Sequence, residues 1–442
     1  MRNICEYGAL GDGKSMNTEA IQRAVDACRK EGGGTVYFPA GTYLTGSIRL
    51  KSNVTLYLDA GAVLQGSGRL EDYHLRHLLY AENEENIAVT GDGCIDGQGT
   101  AFWEPGHELR PENIWRKGWG EVTHYYSKTL PRPERLIRFS GCKKVRVENV
   151  ELRNSPSWTL HLLACEDVAV QGIRITNPLG GPNTDGIDID GSQNVLVSDC
   201  RIITGDDAIV IKNTGIDGWK KPVRNVTVTN CILTTPCNAF KIGTETQADI
   251  ENVVFSNSVV YSDSSRDCYD RAISGISIEM VDGANLSGVL VSGILIRNAR
   301  SPIFIRLGNR GRGQAVPKAG TLRDVAISSV QAFGAILPCI ISGIEEASIE
   351  RVSLSNIQMC FAGGGNAVPT PEEIPDLPAE YPEAVMFGRW LPSYGLFCRR
   401  VKELSLQNIH IRLEGEDSRK AVRLEQTEKV SMTQCIVDGK EL

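Results

Sequence analysis

Asp206 and Asp207 stand side by side, and Asp185 lies 21 residues before them, with Asp188 and Asp190 nearby. They become a chemical unit only if the chain folds that interval back on itself. Like charges drawn together favour a proton retained on one member. A carboxyl group that stays protonated near neutral pH is a general acid. Two carboxylates flanking a glycosidic bond can hydrolyse it, one protonating the leaving oxygen and one activating water. Two plainer readings stay open on spacing alone. Acidic clusters on turns also hold calcium, and an acidic ladder can be no more than a solvated surface.

An internal repeat supplies the elements that must position these groups. A polar residue, then Val-x-Val, then a polar residue or Gly before an apolar residue or Cys, runs from Lys144 to Val150 and from Asp167 to Ile173. It recurs from Asn194 to Cys200 and from Asn225 to Cys231. Looser copies begin at Asn252, Asp324 and Arg351, with others near Asn53, Asn86, Glu403 and Lys429. The intervals run from 23 residues (Val145 to Val168) to 36 (Val253 to Val289). Strict alternation within each copy means β-strand. One such strand with two shorter ones makes one coil of a parallel β-helix, in which coils stack about 4.8 Å apart and cover one another's inner face. A propeller would need blades of about 40 to 45 residues closed by hairpins.

The expected fold is therefore all-β, a single-stranded right-handed parallel β-helix. It forms one domain over residues 1–442, with long loops at 100–134 and 361–397. Near the start, Asn17 or Thr18 can cap a helix whose apolar stripe is Ile21, Ala24, Val25 and Cys28 and which ends at Gly32-Gly33-Gly34. Its expected role is to plug the open end of the stack. Gly8 to Ser15 matches the phosphate-loop pattern, but no βαβ unit follows, so a turn into the helix is expected. Cys200, Cys231 and Cys435 share one repeat position and read as a stacked inward column. In the loops, Trp103, Trp115, Trp119, Tyr125, Tyr126, Trp390 and Tyr394 either stack on sugars or pack the loops down.

Counting within coils aligns the carboxylates. Asp206 and Asp207 lie 11 and 12 residues after Val195, and Asn238 lies 12 after Val226. Asp185 lies 17 after Val168, and looping out about five residues between Asn177 and Pro182 brings it into the same column.

Composition bounds the rest. The 442 residues are 41% hydrophobic and 23% charged, which argues against bulk disorder. The net charge of −7 leaves no footprint for nucleic acid. No run of about 18 apolar residues suggests a membrane span. The 13 scattered cysteines, without a CxxC pair or a leader-like N-terminus, point to a reducing compartment and a cytoplasmic protein. A secreted chain with its leader removed would read the same. A monomer is the default for a capped solenoid.

At these residues the sequence resembles glycoside hydrolase family 28, the polygalacturonases and related pectin hydrolases. Asn183-Thr184-Asp185 looks like that family's NTD motif and Gly205-Asp206-Asp207 like its GDD motif. Gly93 to Gly99 before Trp103, Asn154 to Trp158, and Tyr7 to Gly13 are also similar, so the likeness spans nearly the whole chain. It implies an inverting glycosidase without metal or organic cofactor, with Asp206 as general acid and Asp185 and Asp207 handling the water. The implied substrate is a galacturonate- or rhamnogalacturonan-type oligo- or polysaccharide, and the long loops, by walling off one end of a groove, favour exo action.

Two motifs depart from the family. Its Gly-His-Gly is replaced in the stretch from Cys237 to Gly243, and its Arg-Ile-Lys becomes Arg306-Leu307-Gly308. Lys212 and Lys241 are candidates to replace the lost charge, against a solvated face for each. Asn183, Asn238, Lys241, Arg306, Lys212, Glu279 and His161 form the candidate substrate-binding set, with Glu245 a weaker member. For His161 the plain reading is a satisfied structural histidine; for Glu279, an ordinary exposed Glu. Two other functions remain. A β-helix lyase or epimerase would use Lys241 or Arg306 as base, often with calcium, and a non-catalytic solenoid would only bind glycans.

Overall fold

The computed structural model describes residues 1–106, 125–129, 131–263, 271–365 and 373–442. Its internal contacts divide the chain into two compact units. One comprises Met1–Glu108, Thr123–Ile209 and Val226–Cys231, and the other Leu109–Val122, Val210–Asn225 and Ile232–Leu442.

In the first unit, Glu85–Gly91, Lys143–Glu148, Glu166–Gln171 and Gln193–Ser198 pair in parallel. The repeat valines are register partners: Val145 faces Val168 and Val168 faces Val195, with Val147, Val170 and Val197 beside them. All six are buried. The polar letters of the repeat mark corners. Lys144, Asp167 and Asn194 have φ of 52°, 57° and 53°, and Asn149, Gly172 and Asp199 have 63°, 66° and 59°. Asn, Asp and Gly tolerate that left-handed region best. Corner side chains also bond between coils, as where Asn194 donates to Asp167 Oδ1 at 3.0 Å. Consecutive coils thus follow the right-handed parallel path that strand twist favours.

A second parallel sheet of this unit contains Arg135–Ser140, Trp158–Leu163 and Ile187–Asp190. Ile137, Leu160 and Ile187 share one register inside the coil. The alternate positions carry Arg138, His161 and Asp188 in register on the opposite face. The period of two within a strand therefore puts a polar column outside the core.

Helix α1 spans Thr18–Lys30 and buries Ala20, Ile21, Ala24, Val25 and Cys28. Asn17 occupies the N-cap position but makes no side-chain cap bond. Its amide instead ties down the preceding glycine-rich turn, accepting from Leu10 N at 2.7 Å and donating to Ser15 O at 2.7 Å.

In the second unit the long strands Ile250–Tyr261, Asn285–Arg297, Thr321–Ala335, Ile349–Phe361 and Val401–Leu413 align Val253, Val289, Val325, Val352 and Leu404 in one register. Its other sheet includes Asn238–Thr246, Ser274–Met280, Ser301–Leu307, Cys339–Ser342, Ser393–Arg399 and Lys420–Glu425. There Phe240, Ile276 and Ile303 are register partners in the core, while Glu279, Arg306, Ser342, Arg399 and Glu425 form a polar column.

For the loop aromatics the structure favours packing over exposure. Trp103 is buried, and its indole N–H donates to Pro156 O at 3.1 Å, so it packs the chain down. Tyr125 and Tyr126 belong to a strand, Tyr125–Thr129, antiparallel to Trp103–Gly106. Tyr394 is buried within the strand Ser393–Arg399, which ends the second loop earlier than expected. Trp390 lies under the guanidinium groups of Arg389 and Arg419. Trp115 and Trp119 lie outside the described residues. Cys200, Cys231 and Cys435 are buried thiols, as their shared repeat position suggests. Among the described residues no helix is long and apolar enough to cross a membrane.

Candidate active site

Backbone pairing builds the carboxylate centre in the first unit. Gly186 N–H donates to Asp207 O at 2.9 Å, and Ile187 N–H donates to Ala208 O at 3.0 Å. These bonds set Asp185 beside Asp206 and Asp207, the column obtained by counting. One carboxylate oxygen from each lies within 4.8 Å of the others. Asp185 and Asp207 are 4% and 5% exposed, while Asp206 is less covered.

The motif's small residues are steric requirements. A Cβ on Gly205 would meet Gly181 O at 2.4 Å, and one on Gly186 would meet Ala208 O at 2.3 Å. Thr184 pins the same turn, its hydroxyl donating to Gly181 O at 3.0 Å and accepting from Gly205 N–H at 3.0 Å.

Two arginines lie near the trio. Arg132 donates to Pro156 O, Pro182 O and Asn183 Oδ1, and it is attracted by Asp185 and Asp206. Arg135 is buried. Burial holds its guanidinium below the ordinary value, against the pull of Asp188, Glu134 and Asp185. Its Cζ stacks 3.7 Å from the Trp158 ring centre, and its Nε donates to His161 Nδ1 at 3.2 Å. With Nδ1 accepting, the proton of neutral His161 sits on Nε2, which faces Asp190 Oδ2 at 3.2 Å. His161 is fully buried, the satisfied histidine of the plainer reading.

The second unit holds further charged residues of the candidate set. Lys241 is 1% exposed, with its Nζ 3.8 Å from Glu279 Oε2 and 3.4 Å from the Tyr381 hydroxyl. Glu279 is buried too, accepting from Ser277 Oγ at 2.6 Å and Thr244 Oγ1 at 3.2 Å. Lys212 is likewise buried, so neither lysine lies on a solvated face and Glu279 is not an ordinary exposed Glu. Burial pushes the Glu245 carboxyl up, but Lys212, Arg310, Arg312 and Lys241 outweigh it and hold the group below its usual range. Asn238 is buried and accepts from Ser274 Oγ at 2.8 Å.

Arg306 is directed, as its place after an apolar run suggested, but toward backbone. It donates to Asp376 O at 2.5 Å, Leu377 O at 2.9 Å, Gly343 O at 3.1 Å and Ser342 Oγ at 2.9 Å. Burial pushes its guanidinium down to about 9, so it stays charged at neutral pH.

The first unit thus joins Asp185, Asp206 and Asp207, with Asn183 held to Arg132. Asn238, Lys212, Lys241, Glu279 and Arg306 all lie in the second unit. Sequence reasoning missed Arg132, Arg135, Arg310 and Tyr381. The run Pro131-Arg132-Pro133-Glu134-Arg135, where a long insert rejoins the coils, was the one available signal. Tyr381 lies in an insert outside every repeat column.

Parallel coils presenting three clustered carboxylates on a β-helix define a class, the β-helix glycosidases. The chain belongs to glycosyl hydrolases family 28, whose pattern matches residues 28–330. It is 26% identical over 402 residues to a probable polygalacturonase of Vitis vinifera, covering 83% of this chain and 76% of that protein. It is 28% identical over 305 residues to an exo-poly-alpha-D-galacturonosidase of Dickeya chrysanthemi, covering 58% of this chain and 50% of that one. Among solved structures, a hyperthermoactive exopolygalacturonase from Thermotoga maritima superposes with TM-score 0.67 at 25% identity, over 81% of this chain and 87% of that one. A family 28 exopolygalacturonase of Yersinia enterocolitica gives TM-score 0.72 at 21% identity, over 100% and 78%. The protein is a glycoside hydrolase.

Proposed function

We propose that the protein removes sugar residues from the ends of pectic oligosaccharides of the galacturonate or rhamnogalacturonan type, with inversion at the anomeric carbon. The observation that carries this reading is the convergence of Asp185, Asp206 and Asp207 to within 4.8 Å. Asp206, the least covered, is the general acid that protonates the leaving oxygen. Asp185 and Asp207 together hold and deprotonate the water. The trio is tighter than the roughly 6.5–9.5 Å usual for inverting pairs and nearer the roughly 5–5.5 Å of retaining ones, so inversion rests on the likeness to the family and the anomeric configuration of the product tests it. In this arrangement the water is held jointly by two carboxylates. The relatives named as exo-acting galacturonosidases support the substrate class and the exo mode.

The experiment incubates the protein with oligogalacturonides and rhamnogalacturonan oligomers, following new reducing ends, product size and anomeric configuration. Single sugars of inverted configuration are expected. No new reducing ends from any such substrate, with Asp206→Asn behaving like wild type, would sink the reading. Unsaturated products that vanish with a chelator would favour a lyase. Against that alternative, Lys241 faces Glu279 and Arg306 is engaged with backbone carbonyls, so neither stands as a ready base. The twelve cysteines among the described residues are all free thiols, which supports a reducing compartment, and a monomer is the proposed state.

A further inference from the structure

Arg132 belongs to none of the motifs read above, yet it joins the two turns that lead into the carboxylate centre. Its Nη1 donates to Pro156 O at 2.7 Å and to Pro182 O at 2.6 Å, and its Nη2 donates to Asn183 Oδ1 at 2.9 Å. Pro156 precedes the strand Trp158–Leu163, while Pro182 and Asn183 lead directly into Asp185. The Pro156 carbonyl is also held by the buried Trp103 indole N–H at 3.1 Å, so one end of this bridge is a fixed anchor. The other end is the turn whose next residues are Thr184 and Asp185. A planar guanidinium presents several donors in fixed directions, and an ammonium group cannot reproduce that fork.

We infer that Arg132 is a positioning residue of the hydrolytic centre, clamping the Asn183 turn onto the Pro156 turn and so setting where the Asp185 carboxylate stands. This rests on the trio being the reacting groups. A displacement of about 1 Å in a reacting group can cost a hundredfold in rate. The guanidinium has a second consequence, through charge. Asp185 and Asp206 attract it, while burial and Arg135 oppose its ionisation. By reciprocity its charge favours the ionised form of both carboxylates.

Arg132→Lys and Arg132→Gln in the full-length protein separate the two effects. Both lose the fork, and only the first keeps a charge. On an oligosaccharide that the wild type cleaves, kcat is expected to fall about tenfold or more in both, with KM within about threefold. The bell-shaped pH profile of kcat should keep its position in Arg132→Lys. In Arg132→Gln both limbs should move to higher pH, because Asp185 and Asp206 lose a neighbouring cation while Arg135 remains beside Asp185. Crystal structures should show the Asn183–Asp185 turn displaced from Pro156. Wild-type kcat in the variants overturns the inference, as does activity lost only in proportion to folded protein. An unmoved turn overturns it as well. The crystallographic comparison needs no substrate, so it decides on Arg132 even if the wild type proves inactive on every pectic oligosaccharide, in which case the hydrolytic reading alone fails. If Arg132→Gln does not fold, Arg132→Lys carries both the kinetic and the structural comparison.

Discussion

Asp206 has Asp207 beside it on its own turn and Asp185 on the preceding coil, but its side chain is less covered than those of Asp185 and Asp207. A group that must donate a proton to a substrate oxygen needs such access. Asp206→Asn keeps size and polarity and removes the donated proton. It is expected to lower kcat by about 10²- to 10⁴-fold without altering the melting temperature, as judged by reducing-sugar release and thermal denaturation. Glu279 is different in kind. It is buried against the ammonium of Lys241 at 3.8 Å and bonded by two hydroxyls. Truncating one partner of a buried pair leaves a charge poorly compensated, so Glu279→Ala should destabilise the protein by about 3–5 kcal/mol. Urea unfolding measures this, and unchanged stability would contradict the pairing.

At the scale of elements, strand alternation decides what each side chain can do. Glu279, Arg306, Ser342, Arg399 and Glu425 share one register on successive strands, so a polar column, charged but for Ser342, runs along one face. Arg306 and Arg399 use that face to hold the segment from Ile374 to Leu377, through carbonyl contacts of 2.5 to 3.1 Å. Arg306→Lys keeps the charge but loses the fork. The expected outcome is faster proteolytic cleavage near Ile374–Leu377, read by limited digestion and mass spectrometry. A cleavage pattern like that of wild type would remove Arg306 from this role.

For the molecule as a whole, buried His77 sets a pH dependence. Burial, with Arg138 and Arg135 beside it, pushes its imidazole down to about 3. In the unfolded chain a histidine takes its proton near pH 6.5. Between those values the unfolded state binds the extra proton. Stability is therefore complete above about pH 6.5 and falls as pH drops toward 3, by at most about 1.4 kcal/mol per pH unit. His77→Gln should flatten that part of the curve, as measured by urea unfolding at several pH values. An identical slope in wild type and variant would show that His77 is not buried in its neutral form.

Much of this was legible in the residues themselves. Alternating valines marked strands, because inner positions must be apolar in every coil. That the repeat's Asn, Asp and Gly letters are corners emerged only from the backbone, where they take the positive φ those residues tolerate. Counting from the valines brought Asp185 to Asp206 and Asp207, since the repeat is the geometry. What the order of residues could not carry was the environment of each charge. Nothing local distinguishes a buried Lys241 from a solvated one, or an Arg306 bonded to carbonyls from one awaiting a carboxylate. Those differences arise from inserts that leave the repeat and fold back over a strand face, as Tyr381 does over Lys241. Arg132 comes from such an insert as well. The sequence by itself determined the coil and the carboxylate trio, through periodic burial. Tertiary structure alone decided which cations are covered, what they hold and how Asp185 is kept in place, because contacts between inserts and coils follow no period.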